Sequence, residues 1–228
     1  MTNKELIIKA ALFDLDGTLL NTLNHIGNSV NRVLSKNGLP THSMNAYKLK
    51  IGYGIESLLE SSLPSNLDLN HLENDMLKDL KENYEENIND NSDVYDGITE
   101  LLNWLSEENI HIGIITNKLE NLAKQNVDYF FNKWNLNVKG DGSGFPMKPN
   151  PKALIATANE FNVNPTECIY VGDSGSDMVA ANNAGMYAVG VTWGFRAEEE
   201  LISNGANFIV HHPFELKELI MNKINVLK

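Results

Sequence analysis

Apolar residues first crowd together at Ala10-Ala11-Leu12-Phe13, an unbroken run short enough to be a strand buried on both faces of a parallel sheet. From Leu20 the spacing turns helical and stays so for roughly 70 residues, because apolar positions now recur three and four apart. Ile26, Val30, Val33 and Leu34 form one such stripe, which stops at Gly38-Leu39-Pro40. Tyr47 and Leu49 lead into Ile51-Gly52-Tyr53-Gly54, and Ile55, Leu58 and Leu59 start a second stripe that Pro64-Ser65 breaks. Leu69, Leu72, Met76, Leu77, Leu80 and Tyr84 predict a longer amphipathic helix, and the polar run from Glu85 to Asp93 reads as a linker. No period-two alternation interrupts this stretch, so it is expected to be all helical.

From Val94 helices and strands alternate. Ile98 to Leu105 predicts a helix, Ile110 to Ile115 a β-branched strand ending at Thr116-Asn117, and Leu119 to Phe131 and Pro151 to Phe161 two further helices. Cys168 to Val171 predicts a strand ending in Gly172-Asp173, followed by a helix from Asp177 to Ala184 that Gly185 closes. Tyr187 to Val191 and Phe208 to Val210 read as short strands and Leu216 to Ile224 as a terminal helix. Such alternation predicts an α/β fold, a Rossmann-like parallel sheet with helices on both faces. The expected organisation is a core of residues 1–18 and 94–228, with residues 19–93 inserted after the first strand as a helical cap.

A hydrophobic share of 42% and a charged share of 21% are ordinary for a globular protein, and 228 residues suffice for one domain with a sizeable insertion. The net charge of −12 changes the picture more. It argues against nucleic-acid or anionic-membrane partners, which need basic surfaces. A small phosphorylated metabolite stays open if a few cations are placed locally. Cys168 is the only cysteine, so no internal disulfide forms, and its apolar setting predicts a buried small hydrophobe. Met1 to Glu5 leads into the first strand without an apolar leader, and no run of about 18 apolar residues is present for a membrane span. A cytoplasmic monomer or homodimer is expected.

The chemistry gathers at predicted strand ends. After Phe13 come Asp14-Leu15-Asp16, whose period-two spacing points both carboxylates the same way, and then Gly17-Thr18, suited to a sharp turn. Open α/β sheets bind ligands at that edge. Thr116-Asn117 follows a second strand, though the same pair also suits a helix N-terminus, and both readings stand. Lys148-Pro149-Asn150-Pro151 stiffens a loop around one lysine, and Gly172-Asp173-Ser-Gly-Ser-Asp177 places acids four apart after a third strand. If Asp14, Asp16, Asp173 and Asp177 meet at one rim, their repulsion calls for a hard divalent cation, which suits Mg²⁺.

Phe13-Asp14-Leu15-Asp16-Gly17-Thr18-Leu19, Thr116-Asn117, Lys148-Pro149 and Gly172-Asp173 to Asp177 resemble, in order, the signatures of the haloacid-dehalogenase-like hydrolases. The resemblance implies a nucleophile at Asp14 and a general acid/base at Asp16. It implies phosphoryl-oxygen binding by Thr116, the Asn117 backbone and Lys148. Mg²⁺ would be held by Asp14, Asp173, the Asp16 carbonyl, and Asp177 directly or through water. Asn31 to Leu34, Gly38-Leu39-Pro40, Ile51 to Gly54 and Thr192-Trp193-Gly194-Phe195-Arg196 look most like the phosphoglycolate phosphatase-like subfamily, although its usual Gly-Asn-Gly is Gly52-Tyr53-Gly54 here. A Mg²⁺-dependent phosphatase for 2-phosphoglycolate is therefore expected. A pyrophosphatase, sugar-phosphate mutase, nucleotidase or non-catalytic regulatory module on the same fold are the alternatives. Gly52, Tyr53 and Gly54 are expected to meet the substrate, with Lys50 near enough in sequence to add charge. Arg196 is expected in a structural ion pair, with a substrate contact as the alternative, and His25 as a polar residue of the cap.

Overall fold

The computed structural model describes residues 7–65, 72–86 and 88–222. Leu69, the Met1 to Glu5 segment and the last residues of the expected terminal helix lie outside them. In chain order the elements begin with strands β1 (Ala10–Phe13) and β2 (Leu20–Asn21). Helices α1 (Leu23–Lys36), α2 (Met44–Tyr47), α3 (Ile55–Glu60) and α4 (Leu72–Glu86) follow. Then come β3 (Asp93–Val94), α5 (Ile98–Glu107), β4 (His111–Leu119), α6 (Glu120–Phe130), β5 (Asn137–Asp141) and α7 (Lys152–Glu160). The chain continues through β6 (Cys168–Gly172), α8 (Gly175–Ala184), β7 (Tyr187–Val191), α9 (Glu198–Ser203), β8 (Phe208–Val210) and α10 (Pro213–Met221).

Six strands form one parallel sheet in the order β5-β4-β1-β6-β7-β8. The chain first works outward from β1 through β4 to β5, then returns to β6 on the other side. β1 is thus the reversal point of strand order, where a crevice opens at the strands' C-terminal ends. Its apolar run is fully buried because both faces are covered. Phe13 sits level with Ile114 of β4 and Val171 of β6, so the residues after all three come out on one edge. One apolar cluster, with Phe13, Leu102 and Val189, packs one face, and another, with Leu12, Leu154 and Met178, packs the opposite face. Cys168 belongs to the second; burial pushes its thiol up to about 12, consistent with an inert core position.

The helices between β2 and β3 have their own cluster, built on Val30, Val33, Tyr47, Leu59, Met76 and Leu80, and Leu122 and Phe195 from outside that segment join it. A two-residue antiparallel pair, Leu20↔Val94 and Asn21↔Asp93, closes its base, too short to show any periodicity in the sequence. The expected linker is corrected. α4 runs to Glu86, Ile88 is buried, and Asn126 donates to the Ile88 carbonyl and to Asn89 Oδ1, so this stretch is docked. β5 was also missed, because Asn-Val-Lys-Gly-Asp is an edge strand only half buried. β4 runs past Ile115, with a register break before Leu119 pairs with Asp141. Among the described residues no helix is long and apolar enough to cross a membrane.

His25 is buried on α1, with its ring edge-on to Tyr84 at 5.1 Å and Nε2 without a hydrogen-bond partner among the described residues. Burial, reinforced by Lys118, lowers its pKa to about 4. Between that value and the usual 6.5 the unfolded chain binds the extra proton, so stability falls as pH drops through this window. His25→Phe keeps the ring contact without the proton. Thermal midpoints measured from pH 7.5 to 4 are expected to decline less steeply for this variant; parallel curves would refute the assignment.

Candidate active site

Asp14, Asp173 and Asp177 come together at the C-terminal edge of β1 and β6, all buried, each offering an oxygen within 4.8 Å of the others. Two glycines make the approach possible. Gly17 has a φ of +87°, and a Cβ there would lie 2.3 Å from Asp173 Oδ2. A Cβ on Gly172 would lie 2.4 Å from the Asp177 side chain. Lys148, buried in its loop, places Nζ 2.8 Å from Asp14 Oδ1 and 2.7 Å from Asp177 Oδ1. Burial works against its charge, but Asp14 and Asp177 outweigh this and push its pKa up to about 12. Lys148 therefore stays a cation in the middle of the cluster.

The three carboxylates are not equally satisfied. Asp177 is saturated: Oδ1 accepts from Lys148 and from the Tyr170 hydroxyl, and Oδ2 accepts from the Ser174 N–H at 3.0 Å and the Ser174 hydroxyl at 2.6 Å. The bond from the Ser174 N–H is one half of the capping box that starts α8, the Ser174 side chain accepting in turn from the backbone of Asp177. Asp173 Oδ2 accepts the Phe195 N–H at 2.7 Å, yet burial, then Asp177 and Asp14, hold its carboxyl well above the usual range. Asp14 Oδ1 has ion-pair contact with Lys148 but no aligned hydrogen bond. Burial pushes Asp14 up to about 6, Lys148 opposing and Asp177 and Asp16 adding to the rise. One lysine among three buried carboxylates, with Asp14 Oδ1 short of a donor, fits a hard divalent cation held by oxygen ligands.

Asp16 stands apart from this cluster. Its carboxylate meets Lys118 Nζ at 3.1 Å, an ion pair with both side chains nearly buried, and Lys118 also lies 5.8 Å from the centre of the Tyr84 ring. Thr116 does not cap a helix, since α6 starts at Glu120; its Oγ1 accepts the Lys118 N–H at 3.2 Å. Asn117 acts through its side chain as well as its backbone. Oδ1 accepts the Lys148 N–H, and Nδ2 donates to the Lys148 and Gly52 carbonyls at 3.0 and 2.9 Å. The loop bearing Lys148, whose bond to Pro149 is cis, is thereby tied to the end of β4.

A cavity of about 50 Å³ lies between this edge and the helical segment, lined by Asp14, Asp16, Thr116, Asn117 and Asp173 below and by Gly52, Gly54 and Leu58 above. Tyr53 is not in the lining and is half exposed, and Lys50 donates to the Ser61 carbonyl instead of entering the cavity. Arg196 pairs with Glu200 at 3.4 Å and donates through Nη2 to the Leu49 and Ile51 carbonyls at 3.1 and 2.8 Å. Lys118, Tyr170, Ser174 and the Phe195 N–H were not foreseen. Lys118 follows Thr116-Asn117 directly, the one clue the sequence offered. Tyr170 read only as part of an apolar strand.

A family model described as haloacid dehalogenase-like hydrolase matches residues 11–191. A phosphoglycolate phosphatase of Xanthomonas campestris pv. campestris is 31% identical over 92% of this chain and 95% of its own length. A solved structure from Lactobacillus delbrueckii subsp. bulgaricus, a proposed phosphoglycolate phosphatase, superposes with a TM-score of 0.86 at 25% identity, covering 94% of this chain and 98% of that one. A β-phosphoglucomutase structure from Clostridium difficile gives a TM-score of 0.75 at 26% identity, covering 96% and 98%. With its carboxylates and lysine at the edge of a parallel sheet and the family match spanning most of its length, the chain belongs to the haloacid dehalogenase-like hydrolases, in their phosphoglycolate phosphatase-like subfamily.

Proposed function

We propose that the chain is a Mg²⁺-dependent phosphatase that hydrolyses a small phosphomonoester through an aspartyl-phosphate on Asp14, with 2-phosphoglycolate the preferred substrate. The observation that carries this reading is Asp14 itself, a buried carboxylate at the reversal point of the sheet, facing a cavity and held beside a cationic lysine. Asp14 attacks phosphorus, forming a new P–O bond as the bond to the leaving alkoxide breaks. Asp16 gives that alkoxide a proton and then takes one from the water that cleaves the acyl phosphate. Thr116, the Asn117 backbone and Lys148 hold the phosphoryl oxygens. Asp14, Asp173 and the Asp16 carbonyl would hold Mg²⁺. Asp177, its oxygens already bonded to Lys148 and Ser174, holds the surrounding groups in place. Mg²⁺, when bound, supplies charge that offsets the repulsion between carboxylate and phosphate.

Residues 19–93 act as a cap over a core of residues 1–18 and 94–228, and the small cavity under Gly52 and Gly54 favours a metabolite over a polymer. The protein is placed in the cytoplasm, as a monomer or homodimer. The likeness to a β-phosphoglucomutase keeps a phosphomutase as the second reading. One assay separates these. Phosphate release from 2-phosphoglycolate, pyrophosphate, hexose phosphates and nucleotides is measured with Mg²⁺, with EDTA, and with Mg²⁺ restored. Release should vanish in EDTA and return with the ion. Full activity in chelator would sink the metal assignment, and isomerised sugar phosphate without free phosphate would favour the mutase.

A further inference from the structure

Arg196 has more donors than the protein uses. Its Nε faces Glu200, and its Nη2 donates to the two backbone carbonyls of Leu49 and Ile51. Nη1 is buried and has no hydrogen-bond partner among the described residues. The side chain as a whole is only 3% exposed, and the residue lines the cavity in which Asp14 sits. A buried guanidinium N–H without an acceptor is costly, and among the described residues only the Tyr53 ring, 6.0 Å from Arg196 Cζ, lies over the group without offering it an oxygen. Of the cavity's two cationic residues, Lys118 is already committed to Asp16. Arg196 also follows Phe195 directly, and the Phe195 N–H binds Asp173. The free donor therefore belongs to a residue whose neighbour touches the carboxylate cluster.

We infer that Arg196 is a specificity-determining residue, whose Nη1 donates to an anionic oxygen on the part of the substrate that is not transferred. Resting on the phosphatase reading above, this names the substrate class as a short phosphomonoester with a carboxylate close to its phosphate. A planar guanidinium suits a carboxylate better than a hydroxyl, since its N–H groups are fixed in direction and permanently charged. The same side chain holds the Leu49 and Ile51 carbonyls, so the group that recognises the substrate also holds the loop above it.

Two substrates of matched size decide it: 2-phosphoglycolate, and ethyl phosphate, which lacks the carboxylate. Wild-type kcat/KM should favour 2-phosphoglycolate by 30-fold or more, and Arg196→Met should shrink that ratio to threefold or less, chiefly through KM. An equal loss on both substrates would make Arg196 a structural strap only and overturn the inference. A wild type without preference overturns it even if the variant does not fold. If wild type hydrolyses neither compound nor any other phosphomonoester, the phosphatase reading itself fails and takes the inference with it. Calorimetric titration of 2-phosphoglycolate into Asp14→Asn, with and without Arg196→Met, reads binding alone. The affinity should fall at least tenfold with the arginine gone, and unchanged affinity would refute the contact.

Discussion

Asp14→Asn is expected to lower kcat on an aryl phosphate by about 10⁴-fold or more while making the metal-free protein more stable at pH 8. The two effects have one cause. Asp14 is buried beside Asp177 and Asp173, and burial raises its pKa to about 6 despite Lys148. An acid with a raised folded-state pKa is more protonated folded than unfolded between its model value of 3.8 and about 6, so stability falls as pH rises through that window. Above it the full penalty applies, of order 3 kcal/mol from a shift of this size. Asparagine removes the penalty and leaves Lys148 paired with Asp177. The midpoint in EDTA should rise by about 9 °C for a chain of this length. Mg²⁺ should stabilise wild type strongly and the variant weakly, because the ion relieves the repulsion the variant has lost. Scanning calorimetry at pH 5 and pH 8, with and without Mg²⁺, checks this. A variant less stable than wild type at pH 8 in EDTA would mean that Asp14 is held more by Lys148 than it is opposed by burial.

What could be read from the sequence was what local pattern encodes. Ala10 to Phe13 is apolar without a break because β1 is covered on both faces, and Tyr187–Val191 and Phe208–Val210 were likewise recognisable as strands. Asp14, Asp173 and Asp177 could be placed together because Asp14 and Asp173 each follow a buried parallel strand, whose C-terminal ends share one edge, and Asp177 opens the helix just after the second of them. Contacts across the fold could not be read this way. Lys118 is 102 residues from Asp16, and Arg196 is 145 residues from Ile51, with a backbone carbonyl as its acceptor and therefore no partner side chain to notice. Asp16 was expected at the shared rim from alternation and from the family resemblance; it lines the same cavity, but Lys118 pairs with its carboxylate, where only the tertiary fold could put it. β5 escaped for a different reason: an edge strand half buried on its outer side needs few apolar residues.

Lys148→Met should cost the metal-free protein more stability than any other single change in the site and should also lower kcat about 10³-fold. Lys148 Nζ touches Asp14, Asp177 and the Tyr170 hydroxyl within 2.9 Å, and it is the cation at the centre of three buried carboxylates. Removing one partner of a buried ion pair leaves an uncompensated charge, which typically costs about 3–5 kcal/mol. For a chain of this length that lowers the midpoint by on the order of 10 °C. Methionine approximates the lysine stem, and the backbone should stay in place, because Asn117 holds both the N–H and the carbonyl of residue 148. The cost should shrink as pH falls, since Asp14 and Asp173, already displaced upward, take up protons more readily without the lysine. A second substitution separates charge from packing. Adding Asp177→Asn removes one of the stranded carboxylates and should recover several degrees of the lost midpoint, whereas kcat should not recover, because the cation facing the phosphoryl oxygens is still missing. If Lys148→Met matches wild type in stability at pH 8 without metal, the lysine is not what neutralises this cluster. If the double variant regains activity along with stability, the lysine's role is structural and some other group stabilises the transferred phosphoryl.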